Sequence, residues 1–145
     1  MDVIFLSTQS SRKEVQKFLT ELKKFLNQPD FDTEKNLVII KKKKKAEDEK
    51  FSTPYTLLDL EYEAEDVVKR LKELSVQEYS ETKIDKDDIN PPLLFVFGKD
   101  IEEKLIYIKL KVKNKTQKHV LCVSFRDPSR TASVGSVGRW PFRYF

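Results

Sequence analysis

The clearest pattern in the sequence is an apolar stripe that predicts a helix over residues 11–27. The stripe recurs at helical spacing and consists of Val15, Phe18, Leu19, Leu22, Phe25 and Leu26. Ser11 and Glu14 have the spacing of a capping box, and Pro29 lies just beyond the expected end. We therefore expect a scaffold helix that packs this stripe against the core.

Two shorter helices are predicted further along the chain. The first follows Thr53-Pro54, because proline is tolerated in the first turn of a helix. Its inward-facing residues are expected to be Leu57, Leu58 and Leu60. The second covers residues 64–75, with acidic side chains in its first turn and basic ones later, as the helix dipole favours. Both helices are expected to be structural.

The pattern changes to that of β-strands after Pro91-Pro92. Residues 93–97 form a short apolar run, residues 104–112 alternate between apolar and polar, and residues 119–126 supply a third strand. The expected fold class is α+β, with a small antiparallel sheet in that strand order, helices on one face, and a single domain over residues 1–125. The sheet face beneath helix 11–27 is expected to carry Ile106, Ile108, Val123 and Phe125.

The hairpin formed by the last two strands predicts which side chains share the face away from the helices. With a connection over residues 113–118, Tyr107 pairs with Ser124 and Lys109 pairs with Cys122, so that apolar positions meet apolar ones. The open face of the hairpin is then polar and carries Tyr107, Lys109, Lys111, Ser124 and Arg126.

Charge is unevenly distributed along the 145 residues, although the formal net charge is only +4. Residues 59–88 contain eleven acidic and five basic residues, whereas residues 99–118 contain seven basic and three acidic ones. Five consecutive lysines, Lys41 to Lys45, directly follow a short β run at residues 37–40. Consecutive lysines attract polyanions without reading their sequence, so this run is either a phosphate-contacting segment or an ordinary solvated loop.

Composition narrows the chemistry that the chain can perform. The single cysteine and the single histidine, Cys122 and His119, exclude an internal disulfide framework and a Cys/His zinc site. No stretch approaches the roughly 18 apolar residues of a membrane span. We therefore expect a soluble, cytoplasmic protein that uses no metal and no small-molecule cofactor.

The last twenty residues, 126–145, differ in composition from the rest of the chain. They contain four of the six arginines and two of the three glycines, but no lysine. We interpret them as a basic C-terminal tail or as the product of an altered reading frame.

A sheet face with tyrosine, lysine and arginine suits the transesterification of RNA. That reaction needs a base for the ribose 2′-OH, an acid for the departing 5′ oxygen, and cations for the charge that grows on the phosphoryl oxygens. Lys109, Lys111 and Arg126 are expected to lower the pKa of Tyr107 and so prepare it for proton transfer. The alternative is an ordinary solvated sheet face, on which lysines alternate with apolar residues.

Several segments together resemble the MqsR-type toxins of bacterial toxin–antitoxin systems, over residues 12–126. They are Thr56-Leu-Leu-Asp-Leu60, Glu78-Tyr79 after a helix ending at Leu74, Phe95-Val-Phe-Gly-Lys99, Ile106-Tyr-Ile-Lys-Leu110 and Val120-Leu-Cys-Val-Ser-Phe125. The resemblance implies a RelE-like fold and a metal-independent messenger-RNA endonuclease. It also implies a cognate antitoxin protein as partner.

The resemblance carries over residue by residue at two positions. Tyr107 matches the family's tyrosine on the penultimate strand, and Arg126 matches the basic residue after Val-Ser-Phe. The family's lysine after the third helix falls near Glu81, with Lys83 as the nearest lysine, and its glutamine falls near Leu94.

Two functional hypotheses follow. In the first, the protein is a ribonuclease toxin whose catalytic residues are Tyr107, Arg126 and Lys109. Its RNA-binding residues are then Lys41, Lys42, Lys43, Lys83 and Lys111. In the second, the protein is a non-catalytic interaction module of the same fold, which binds a partner protein or RNA through the same face.

Overall fold

A computed structural model of the protein describes residues 7–41, 46–85, 87–89, 91–113 and 118–127. Its α-helices are α1 (Arg12–Leu26), α2 (Thr33–Asn36), α3 (Thr53–Leu60) and α4 (Ala64–Lys72), with 3-10 turns at Ala46–Phe51 and Val76–Glu78. Its strands are β1 (Ser7–Thr8), β2 (Leu37–Ile39), β3 (Tyr79–Lys83), β4 (Leu94–Ile101), β5 (Lys104–Lys113) and β6 (His119–Arg126). Of the predicted tail over residues 126–145, only Arg126 and Asp127 lie within the described residues.

The strands form one sheet in the order β1-β3-β4-β5-β6-β2, with the helices on one side. Every neighbouring pair is antiparallel except β2 and β6, which run parallel. The predicted α+β class and the predicted order of the last three strands are confirmed. The three short strands β1, β3 and β2 flank the last three strands and make the sheet wider than predicted.

None of the helices in the described part of the chain has the length and apolar character needed to cross a bilayer.

Helix α1 forms where the apolar stripe predicts it. The capping box is present, because the Glu14 backbone N–H donates to Ser11 Oγ at 3.1 Å and the Ser11 N–H donates to Glu14 Oε1 at 2.8 Å. Leu22 is completely buried, and the Phe18 ring stacks on Phe95 of β4 with 4.2 Å between the ring centroids. These contacts anchor α1 on one face of the sheet and leave Tyr107, Lys109 and Arg126 on the opposite face.

The hairpin register differs from the prediction. Tyr107 pairs with Arg126 and Lys109 pairs with Ser124, and a register shift after Lys109 then sets Leu110 opposite Cys122. The predicted pairs Tyr107–Ser124 and Lys109–Cys122 are therefore wrong. The physical reason is a β-bulge, which adds one residue to β6 and changes which side chains face the core.

The bulge changes the composition of the core beneath α1. Cys122 was predicted on the polar face, but it is completely buried in the core, and burial raises the pKa of its thiol to about 12. Val123 was predicted in the core, but it is only half-buried and is not part of the core cluster. Phe125 is completely buried, as predicted.

Helix α3 buries a different face from the one its leucines predict. Leu58 was expected to point inward, but it is 77% exposed, whereas Thr53 and Thr56 are buried. The backbone N–H of Phe125 donates to Thr53 Oγ1 at 3.1 Å, and that of Asp127 donates to Thr56 Oγ1 at 3.1 Å. Strand β2 pairs with β6 only as far as Cys122, so the later backbone N–H groups of Phe125 and Asp127 need other acceptors. The two threonine hydroxyls supply them and thereby fix the end of β6 beside α3.

This arrangement predicts that Thr53→Val destabilises the protein although the two side chains have the same shape. Valine cannot accept the hydrogen bond, so the buried N–H of Phe125 loses its partner, at a cost of about 1–3 kcal/mol in the free energy of unfolding. Thr20→Val, on the exposed side of α1, is the matched control and should change that free energy by less than about 0.5 kcal/mol. Urea denaturation measures both, and equal effects would contradict the assignment.

Candidate functional site

The candidate site consists of two adjacent rows of directly paired residues on the sheet face opposite the helices. The first row crosses β4, β5 and β6 and consists of Gly98, Tyr107 and Arg126. The second row also reaches β3 and consists of Glu81, Val96, Lys109 and Ser124. Directly paired residues project from the same face, so the sheet itself brings the predicted catalytic residues together.

Two cations flank the ring of Tyr107. The guanidinium carbon of Arg126 lies 4.9 Å from the ring centroid, and the Nζ atom of Lys109 lies 5.8 Å from it. Both distances are within the range of cation–π attraction. One guanidinium N–H of Arg126 donates to the Asp127 carbonyl oxygen at 3.2 Å, which helps to fix the fork over the ring. All three side chains are half-buried, so the charges of Lys109 and Arg126 are only partly screened by water.

The pKa of Tyr107 moves in the direction opposite to the prediction. Burial raises it, the nearby carboxylate of Glu81 raises it further, and Arg126 opposes these effects only in part. The expectation that neighbouring cations lower the pKa of this phenol is therefore wrong, because loss of solvent outweighs the attraction of the guanidinium. Tyr107 keeps its proton at neutral pH and can act as a proton donor.

The pKa of Lys109 is shifted towards neutral pH. Burial lowers the pKa of its amine to about 8, and the positive charges of Lys83 and Arg126 contribute in the same direction. The carboxylates of Asp85 and Glu81 oppose this change. A fraction of the Lys109 side chains is therefore a neutral amine near pH 8, and a neutral amine can accept a proton.

Strand β3 brings two further charged residues to the face. Lys83 was predicted as an RNA contact, and its Nζ atom lies 4.0 Å from Glu81 Oε2. Ser7 also donates a hydrogen bond to the Glu81 carboxylate. Glu81 was not predicted as a site residue, although its spacing of two from Lys83 would have placed both on one face had the segment been recognised as a strand.

The position of Lys111 removes it from the predicted set of RNA contacts. Its side chain is completely buried, with Nζ 3.2 Å from Asp85 Oδ2 and 3.6 Å from Asp88 Oδ2. A residue held in this way is not accessible to a phosphate, so the prediction that Lys111 contacts RNA is wrong for this conformation. The physical reason is that Asp85 and Asp88, which follow β3 in the chain, pair with Lys111 and cover this part of the face.

Lys41, the first residue of the lysine run, lies apart from the two rows. Lys41 is exposed just beyond β2 and lines a groove together with Pro54 and Leu58 of α3. Lys42 and Lys43 lie outside the described residues. No cluster of three or more His, Cys, Asp or Glu residues arranged to hold a metal ion occurs within the described ranges.

Comparisons of the chain with protein family models, curated proteins and solved structures gave no match. The geometry of the two rows therefore carries the functional inference.

The lowered pKa of Lys109 predicts how stability depends on pH. The unfolded lysine titrates near 10.5 and the folded one near 8, so between these values the unfolded chain binds more protons and the lysine contribution to stability rises with pH. Replacing Lys109 by Gln removes this contribution. Urea denaturation at pH 7, 8, 9 and 10 should therefore show the wild type gaining stability relative to Lys109→Gln across this window. A constant difference between the two proteins would contradict the assignment.

Proposed function

We propose that the protein is a metal-independent endoribonuclease and the toxin component of a type II toxin–antitoxin system, a divergent relative of the MqsR-type toxins with a RelE-like fold. The observation that carries this proposal is one half-buried face on which a lysine with a pKa of about 8 lies beside an arginine and a protonated tyrosine. These are the groups that RNA transesterification requires: a base, a cation for the phosphate and an acid.

In the proposed reaction, Lys109 and Tyr107 exchange protons with the substrate in opposite directions. The neutral Lys109 amine takes the proton of the ribose 2′-OH, and the 2′ oxygen attacks the adjacent phosphorus. A bond from phosphorus to the 2′ oxygen forms while the bond to the 5′ oxygen breaks. The Tyr107 phenol protonates the departing 5′ oxygen, so that the products are a 2′,3′-cyclic phosphate and a 5′-hydroxyl. Exchange with water then restores both side chains.

Arg126 is the residue proposed to stabilise the charge on the phosphoryl oxygens. Burial lowers the pKa of its guanidinium, but an arginine in a protein keeps its proton at physiological pH. Its planar fork matches two phosphate oxygens at once, which a lysine cannot do. Lys83 adds positive charge on the β3 side and is proposed to contact a flanking phosphate, with Lys41 as a more distant contact.

Cleavage of RNA by single-residue variants tests these roles. Arg126→Ala should lower the rate by about 10²–10³-fold through loss of transition-state charge stabilisation. Lys109→Met and Tyr107→Phe should each lower it by about 10²–10⁴-fold through loss of proton transfer. The wild-type rate should persist in EDTA and should rise with pH towards about 8 as Lys109 loses its proton.

The matched control for the arginine variant is Arg12→Ala, because it removes the same charge from an exposed position on α1. Its cleavage rate should stay within about twofold of the wild type, since exposed charges far from a site are largely screened. Wild-type cleavage by the three site variants, or loss of wild-type cleavage in EDTA, would overturn the proposed chemistry. Binding of RNA or of a partner protein without any cleavage would instead favour a non-catalytic interaction module.

The proposed partner in the cell is an antitoxin that contacts the sheet face carrying Lys83, Lys109 and Arg126. Segregated charge steers association and suppresses wrong partners, so a protein with a complementary acidic surface fits this role. Induced expression of the wild type should arrest growth, and Arg126→Ala should relieve the arrest. Co-expression with the product of an adjacent small gene should also relieve it and yield a purified complex. Failure of any adjacent product to bind or to rescue growth would count against the toxin assignment.

A further inference from the structure

A network of ion pairs, centred on the buried Lys111 side chain, fastens Asp85 and Asp88 to the sheet face beside the candidate site. Lys111 Nζ lies 3.2 Å from Asp85 Oδ2, 3.6 Å from Asp88 Oδ2 and 3.5 Å from the Asp88 carbonyl oxygen. Lys113 Nζ reaches Asp88 Oδ2 at 2.8 Å. Asp85 and Asp88 are thus tied to β5 at two successive positions of one strand face, next to Lys109.

Stability alone is a weak reason for such a network. Removing a lysine and a carboxylate from water costs free energy that their attraction does not always recover, and an apolar pair of the same volume often serves as well. What an apolar pair cannot do is place a charge at a defined point. A neighbouring group on which the charge of the Asp85 carboxylate acts would give the network such a role.

That neighbour is Lys109, which lies two residues before Lys111 on β5. The carboxylate of Asp85 favours the protonated form of the Lys109 amine and thus opposes burial and the two neighbouring cations. Both Asp85 oxygens are held, because Oδ1 accepts the Asp87 backbone N–H at 3.0 Å while Oδ2 faces Lys111. The charge is therefore fixed next to Lys111, on the sheet face that also carries Lys109 two residues earlier on β5.

We propose that Lys111 is a positioning residue of the candidate site, and that it holds the Asp85 carboxylate in place beside the Lys109 amine. The catalytic meaning of this arrangement rests on the proposed function. The charged groups acting on Lys109 are Glu81 and Lys83 from β3, Arg126 from β6, and Asp85, which follows β3. Two carboxylates thereby oppose two cations, and Asp85 is the member whose place depends on Lys111.

The proposal is tested by titrating the Lys109 amine in Lys111→Met, with isotope-labelled lysine followed by NMR and without RNA. If Lys111 positions Asp85, its loss releases the carboxylate into solvent and the midpoint of the Lys109 titration falls by about half a pH unit or more. If Asp85 stays in place, removal of the Lys111 charge raises the midpoint instead. A rise, or no change, overturns the proposal.

Two further variants keep the test decisive if Lys111→Met does not fold. Asp85→Asn retains an oxygen for the Asp87 N–H but loses the charge, so the Lys109 midpoint should again fall. Lys111→Arg keeps the ion pair and should restore a midpoint close to that of the wild type. An unchanged midpoint in Asp85→Asn would overturn the proposal on its own.

The matched control is Lys99→Met, which removes the other largely buried lysine of the sheet. The Nζ atom of Lys99 lies 3.1 Å from Glu78 Oε2. In the sheet, Lys99 pairs with the core residue Ile106, so its side chain projects from the helix side. This variant should lower the melting temperature but leave the Lys109 midpoint unchanged. A midpoint that fell equally in Lys99→Met would show that general loosening, and not positioning, causes the effect, and would overturn the proposal.

Failure of this proposal and failure of the proposed function give different results. A Lys109 midpoint that falls in Lys111→Met and Asp85→Asn supports positioning even if the wild type cleaves no RNA, in which case only the proposed function fails. RNA cleavage by the wild type with an unchanged midpoint in both variants overturns positioning alone. Where both hold, the pH dependence of cleavage by Asp85→Asn should shift downward by the same amount as the Lys109 midpoint.

Discussion

The alternation of side chains along β5 is the constraint on which both the core beneath the helices and the candidate site on the opposite face depend. Ile106, Ile108 and Leu110 are completely buried beneath the helices, so the intervening Tyr107 and Lys109 must project from the opposite face. A slip of one residue would exchange the two sets, exposing the aliphatic side chains and burying the polar ones against α1. The contacts that hold the helices on the sheet therefore also hold the candidate chemistry in place.

Partial burial gives the two central groups of the site complementary properties. Loss of solvent disfavours whichever form is charged, and that form is the anion for Tyr107 but the cation for Lys109. The same environment therefore raises the pKa of the phenol and lowers that of the amine. The phenol stays protonated, and the amine is more readily available as a proton acceptor. One physical cause separates the pKa values of an acid and a base, which is how many active sites assign these two roles.

Local sequence patterns were enough to predict much of the fold. The candidate site was harder to predict, because it depends on contacts between residues that are far apart in the sequence. Helix α1 could be predicted because its stripe and its capping box lie within one short segment. The bulge in β6 could not, since Leu121, Val123 and Phe125 are all apolar at alternating positions and give no sign of an inserted residue. Alternation correctly placed Lys111 on the face opposite the core, but its burial comes from Asp85 and its neighbours, which are far away in the sequence.

The threonine hydroxyls of α3 also close part of one sheet edge next to the candidate site. A sheet edge with unsatisfied backbone donors invites a foreign strand, but at Phe125 and Asp127 these donors are already engaged by Thr53 and Thr56. Extension of the sheet past Arg126 by strand addition is therefore blocked on the α3 side. The open face of the sheet, and not this edge of β6, is therefore the surface that stays accessible next to Arg126.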